Sequence, residues 1–201
     1  MSVRPESRKL SVGDRFTARE LETISGGKVR IPEPGLTVHL QFRRFAGCPI
    51  CHLHLRSLAR RHEELKAAGL REVIVFHSSA EELRTYEGAL PFAVVGDPQR
   101  HLYREYGVEA APRALLNPRG WGGLVRALVN GFGDFFTGRH PAPPVLPAGG
   151  RLGLPADLLI GGDGEILAVK YGEHADDQWS VDELLALVSP APARLQPLPG
   201  Q

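Results

Sequence analysis

The chain has 201 residues, 42% of them hydrophobic, which is enough to bury one core and short for two full domains. Twenty-four Lys and Arg against 23 Asp and Glu leave a net charge of +1, so no overall field draws in nucleic acid or an anionic membrane. No apolar run follows the first charges, and none elsewhere reaches the ~18 residues that span a bilayer; no membrane partner is expected, and the cytoplasm is the expected compartment.

No internal repeat is present, and the elements alternate along the chain. Residues 21–31, LETISGGKVRI, predict a short hairpin around Gly26 and Gly27, followed by a turn at Pro34 and Gly35. Val38, Leu40 and Phe42 then alternate with His39, Gln41 and Arg43, the period of a strand running into CPIC at 48–51. Cys51, Leu55, Leu58, His62 and Leu65 fall at helical spacing behind it, and Gly69 ends that helix. VIVF at 73–76 predicts a strand covered on both faces. Ser79 with Glu82 is a capping-box pattern for a helix to about Glu87. FAVV at 92–95 is a further strand, and Asp97-Pro98 predicts an N-cap and first helical residue, with that helix running to Tyr106 before Gly107.

This rhythm indicates parallel strands joined by right-handed crossovers. It is interrupted over about 112–154. Trp121, Leu124, Val125, Leu128, Phe132, Phe135 and Phe136 there form a helical stripe after Asn117-Pro118, and HPAPPVLPAGG is an extended loop. The stripe packs on the sheet as extra core, forms a lid over the cysteines, or serves as a homodimer contact. ADLLI, GGDG and EILAV then predict a hairpin at 156–169, and Ser180 with Glu183 caps a last helix. The proline-rich residues 189–201 read as a tail.

Cys48 and Cys51 are the only cysteines, too few to staple the chain, and such a close pair points to catalysis or metal binding. Pro49 at the first helical position puts Cys48 at the N-cap and Cys51 one turn in, on the same side. That spacing suits a disulfide. The free N–H groups and dipole of the helix start favour a Cys48 thiolate, so Cys48 is read as the attacking sulfur and Cys51 as the resolving one. Arg43 and Arg44 stand near enough in sequence to add to the effect. Lowering a thiol pKa from ~8.5 to ~7 nets only about a threefold gain in rate, because nucleophilicity falls as thiolate fraction rises. Thiol–disulfide exchange needs little more than this. Fast peroxide reduction needs further groups that orient the peroxide and stabilise the departing oxygen.

Other readings of CPICH remain open. It matches a covalent haem attachment pattern, although no signal peptide precedes it. Cys48, Cys51 and His52 also share a helix face as ligands for zinc or copper, with His54 pointing elsewhere and no second ligand cluster following. An inert buried pair is the third alternative. His62, His77, His101 and His174 lack ligand spacing and read as surface or satisfied core residues.

VGDRF near the start, HLQFRRFAGCPICHLHLRSL, GDPQRHLYREYGV and the stretch from LPADLLI to DQWSVDELLAL resemble the peroxiredoxin-like proteins of the alkyl hydroperoxide reductase and thiol-specific antioxidant (AhpC/TSA) superfamily. The similarity covers most of residues 11–188. It implies a thioredoxin-like α/β fold, with a central mixed sheet flanked by helices and an inserted helix and Pro-rich loop before the C-terminal hairpin. It also implies reduction of peroxides or disulfides, with a thioredoxin-like or low-molecular-weight thiol as electron donor and no cofactor. LPADLLIGGDGEILAVKYG looks like the segment in which a cis-proline lies against the dithiol, a role that falls to Pro155. The peroxiredoxin motif P-x-x-x-[TS]-x-x-C is absent. Counted from Cys48 its hydroxyl and proline positions hold Phe45 and Gln41; counted from Cys51 they hold Cys48 and Arg44. The arginine before the hairpin is replaced by the stretch Leu154-Pro155-Ala156-Asp157. Asp157 is expected either as a buried carboxylate, raised in pKa by desolvation, that manages the Cys51 proton, or as an exposed strand-start residue. Trp179 either closes the site or packs in the core.

The expectation is therefore one domain over 1–188 with an insertion at about 112–154. It would act as a thiol-dependent oxidoreductase through Cys48 and Cys51, with Arg44, Pro155 and Asp157 in support. The alternatives are a disulfide reductase without peroxidase turnover and a copper or zinc module.

Overall fold

The computed structural model describes residues 8–108, 150 and 152–189. The predicted inserted helix, most of its proline-rich loop and the tail beyond Ser189 lie outside them.

The Gly26-Gly27 turn closes an antiparallel hairpin of β1 (Arg19–Glu22) and β2 (Lys28–Ile31), with Gly26 at φ +85 taking the left-handed conformation that glycine adopts without steric cost. Five further strands form a mixed sheet: β3 (Thr37–Arg43), β4 (Leu70–Phe76), β5 (Ala93–Gly96), β6 (Ala156–Ile160) and β7 (Ile166–Tyr171). Their spatial order is β5-β4-β3-β6-β7. β3, β4 and β5 are parallel, while β6 and β7 are antiparallel to their neighbours. β3 therefore sits at the centre and is buried from Val38 to Arg43.

The helices are α1 (Pro49–Arg60), α2 (His62–Ala67), α3 (Ala80–Glu87), α4 (His101–Glu105) and α5 (Val181–Val188). Both predicted capping boxes are formed, at Ser79/Glu82 and Ser180/Glu183. Two predicted helices differ. The single helix expected up to Gly69 is divided at Arg61, whose amide donates to the Leu58 carbonyl three residues back and whose side chain is held by Glu64 and Asp182. The helix expected from Pro98 begins at His101. Asp97 does cap it, accepting from the amides of His101 (2.9 Å) and Leu102 (2.8 Å), but Arg100 at φ +56 intervenes in a left-handed turn.

Each face of the sheet carries its own core. Val38, Leu40 and Phe42 of β3 pack with Val73, Val75, Leu158, Ile160, Tyr103 and the β1–β2 hairpin. The opposite face meets Leu55 and Leu58 of α1, Leu83 of α3 and Leu184 of α5. On this second face β3 presents His39, Gln41 and Arg43, all three wholly buried. They form a charged cluster under α1. Arg43 donates to Asp157 Oδ1 (2.6 Å) and Gln41 Oε1 (2.6 Å), and His39 bridges Glu72 Oε2 (2.7 Å) and Asp157 Oδ1 (3.1 Å). Burial alone lowers the His39 pKa, but the Glu72 charge and the hydrogen bonds to Asp157 and Glu72 outweigh it and raise it to about 9.

Candidate dithiol site

The C-terminal edge of the parallel strands delivers the two cysteines. β3 ends at Arg43, and residues 44–47 turn into α1 with Gly47 at φ +73. Three hydrogen bonds tie this turn to the β4–α3 region. The His77 amide donates to the Arg44 carbonyl (3.2 Å), the Ala46 amide to Ser78 Oγ (3.0 Å) and the Gly47 amide to Glu87 Oε1 (3.4 Å). Tyr103 sets its hydroxyl against the carbonyls of Arg43 and Val75, tying the ends of β3 and β4.

Cys48 is the N-cap of α1, in extended conformation, with Pro49 at the helix start. Its carbonyl accepts the first helical bond, from the His52 amide at 2.9 Å. Both cysteines are free thiols and both are buried, Cys48 as completely as Cys51. Arg44 directs Nη1 at Cys48 Sγ at 3.6 Å. Burial pushes the Cys48 thiol up, but a hydrogen bond from the Cys51 thiol, the Arg44 charge and the amides of Cys51 and Ile50 together outweigh it, and its pKa is lowered. Cys51 moves the opposite way: burial, its donation to Cys48 and the charge on that neighbour raise it well above the usual thiol range. The arrangement thus favours the thiolate at Cys48, with the Cys51 thiol as its hydrogen-bond donor.

The other sequence-predicted residues fall elsewhere. Arg43 turns away from the cysteines into the charged cluster, where it meets His54 Nε2 at 3.2 Å. Asp157 is buried as one reading held, but its ionisation is the reverse of that expected. Burial would raise it, yet Arg43 and His39 hold it far below the carboxylate range, so it is an ion-pair partner with no proton to manage. Pro155 is not a cis-proline: the cis peptide bond among the described residues precedes Pro32. The Pro155 carbonyl accepts from the Gly172 amide (2.9 Å), so it opens β6 against the end of β7. Trp179 packs over His39, 5.9 Å between ring centroids, as part of the core. Among the described residues no group of three or more His, Cys, Asp or Glu side chains converges to hold a metal.

Three residues were missed. Ser78 and Glu87 hold the turn before Cys48, and both are buried. His77 is neither a surface nor a satisfied core histidine. It is 1% exposed, neither ring nitrogen has a hydrogen-bond partner among the described residues, and burial with the Arg100 and Arg44 charges lowers its pKa to about 4. It lies beneath Gly153, where an added Cβ would stand 3.0 Å from His77 Nε2 and 3.6 Å from Arg44 Cγ. A signal for Glu87 was available: Ala80, Leu83 and Glu87 share the inward stripe of α3, and a carboxylate on an apolar stripe asks for a partner.

A mixed sheet flanked by helices, with Cys-x-x-Cys at the start of the helix after its central strand, defines a thioredoxin-like fold. The AhpC/TSA antioxidant enzyme family model matches residues 57–174, and the chain belongs to that family. The matched span begins beyond both cysteines. No curated protein matches the chain significantly. Among solved structures, one described as a thiol:disulfide interchange protein DsbE from Chlorobium tepidum is 19% identical with a TM-score of 0.57, covering 90% of this chain and 100% of its own. Peroxidoxin BcpB from Mycobacterium tuberculosis is 15% identical at 0.60, covering 88% and 95%. StoA from Bacillus subtilis is 16% identical at 0.51, covering 86% and 97%. At these identities the likeness is one of fold.

Proposed function

We propose that this protein is a thiol-dependent oxidoreductase that reduces disulfides, and more slowly peroxides, through a Cys48/Cys51 cycle. The observation that carries this reading is the asymmetry of the pair: Cys48 faces Arg44 and the helix-start amides, while Cys51 donates to it from within α1. The Cys48 thiolate attacks one sulfur of a disulfide, forms a mixed disulfide and expels the other sulfur as thiolate. Cys51 then loses its proton and attacks Cys48, the second thiolate leaves, and an external thiol of low molecular weight or a thioredoxin-like donor restores the dithiol. With a peroxide, Cys48 would become a sulfenic acid and release an alcohol or water, and Cys51 would condense with it to expel water. Phe45 stands where a peroxide-binding hydroxyl is needed, so disulfides are the favoured oxidant. A reducing cytoplasm is the compartment in which this cycle would run.

Mass spectrometry after one equivalent of a small disulfide tests the cycle. Loss of two hydrogens localised to Cys48 and Cys51 is expected, with Cys51→Ser stopping at the mixed disulfide and Cys48→Ser inert. Turnover surviving in Cys48→Ser would overturn the assignment. Peroxide turnover as fast as disulfide turnover would reverse the order of oxidants.

A further inference from the structure

Glu87, the last residue of α3, reaches the turn that carries the dithiol. It is 2% exposed; Oε1 accepts from the Gly47 amide at 3.4 Å, the residue just before Cys48, and Oε2 has no hydrogen-bond partner among the described residues. A half-satisfied buried carboxylate is costly, and a protonated one costs much less. The charge that acts on it is that of Cys48 at the start of α1; the other ionisable groups of the elements packed there are Cys51 of α1, Arg44 of the turn, His77 after β4, and Arg84 of its own helix. Arg84 is committed to the Ile24 carbonyl at 2.8 Å, and Arg44 is directed at Cys48. The nearest change in charge during a redox cycle is therefore that of Cys48 itself.

We propose that Glu87 is a positioning residue of the dithiol that fixes the Gly47 turn through one oxygen and exchanges a proton with solvent whenever Cys48 gains or loses its negative charge. This rests on the dithiol reading above. Burial, followed by the Cys48 charge, raises the Glu87 carboxyl to about 7 in the reduced state. Oxidation to the disulfide removes that charge, so the carboxyl becomes more acidic and releases its proton to water. Reduction restores the thiolate, and the proton is taken up again. The balance per two electrons is one proton on Cys51 plus up to one on Glu87, and in the window just below pH 7 the wild-type couple takes up more protons than the dithiol alone requires.

The test is the pH dependence of the Cys48–Cys51 reduction equilibrium against a reference dithiol in wild type and Glu87→Gln, which keeps an oxygen for the Gly47 amide and removes the titration. Between pH 6 and 7 the wild-type equilibrium is expected to change more steeply than that of the variant, by up to tenfold more per pH unit. That is about 30 mV for a two-electron couple. Infrared difference spectra of the wild type, oxidised minus reduced, read the same event directly: a protonated-carboxyl band should be lost on oxidation, and it does not depend on the variant folding. Equal slopes, or no such band, overturn this inference and leave the dithiol intact. Failure of the wild type to form a Cys48–Cys51 couple overturns the dithiol reading and this inference with it.

Discussion

The two sides of β3 are both buried from Val38 to Arg43 and carry opposite chemistry, although each face of the sheet has an apolar core. Under α4 and the β1–β2 hairpin, Val38, Leu40 and Phe42 meet other apolar side chains. Under α1, the alternate residues of the same strand are His39, Gln41 and Arg43, matched with Glu72 and Asp157. The apolar face is held by area and packing, which tolerate small adjustments of geometry. The charged cluster on the other side adds to an apolar core there, and it is tolerated only while each ion keeps its partner, because the cost of stripping water from a charge is met by one or two short contacts.

Removing one partner should show the difference most sharply. Asp157→Leu leaves Arg43 and His39 without their shared acceptor and is expected to cost about 3–5 kcal/mol in urea unfolding. Combining it with Arg43→Met should recover much of that loss, since a buried pair can be replaced by apolar groups at little net cost. A double variant no more stable than Asp157→Leu would break the comparison. On the other face Leu40→Ala, at a wholly buried site, is expected to cost about 2–5 kcal/mol through lost burial and a residual cavity, with no charge-removing partner change that restores it.

Raising the pH probes the charged cluster through the difference between wild type and a His39 variant, which cancels the titration of the cysteines and Glu87. The folded-state pKa of His39 lies above its unfolded value, so the native state holds the proton more tightly. The stability this supplies is complete below about 6.5 and is lost as the pH rises through about 9. Unfolding free energy measured at pH 7 and pH 9 should fall in the wild type and fall less in His39→Gln; equal slopes would remove His39 from the account. The smallest effect lies at the rim of both faces. Ser79→Ala deletes the cap of α3, whose hydroxyl accepts from the Glu82 amide at 3.2 Å, and should cost about 1 kcal/mol. Because α3 carries Glu87, the same variant should also slow Cys48 alkylation slightly.

Much of the fold was legible because its signals are local. The Gly26 turn, both capping boxes and Pro49 ahead of a helical stripe depend on side chains within four residues of one another. Of the two helices that differ from the prediction, α4 starts late for a local reason, the left-handed Arg100, and the division of α1 from α2 involves a residue distant in sequence. Arg61 is drawn to Asp182 of α5, and α1 ends one residue before it. At the site, Cys48 and Cys51 are legible as a close pair on one helical turn. Their inequality is legible in part from the helix start; what the sequence leaves open is which arginine adds to it, since Arg44 faces Cys48 across a turn pinned to Ser78 and Glu87 while Arg43 turns away. Asp157 was legible as a candidate buried carboxylate, but its ionisation was set by Arg43, 114 residues earlier in the chain.

The sequence by itself determined the order of strands and helices, that two thiols lie one turn apart at a helix start, and that β3 alternates polar and apolar side chains. Only the tertiary structure decided that the polar side of β3 is sealed under α1, which buried carboxylate is ion-paired and which is left with one unpartnered oxygen, and that the turn before Cys48 is fastened to α3. The physical reason is range. Capping and periodicity act over a few residues, whereas desolvation and charge pairing depend on which groups the completed fold brings within a few ångströms.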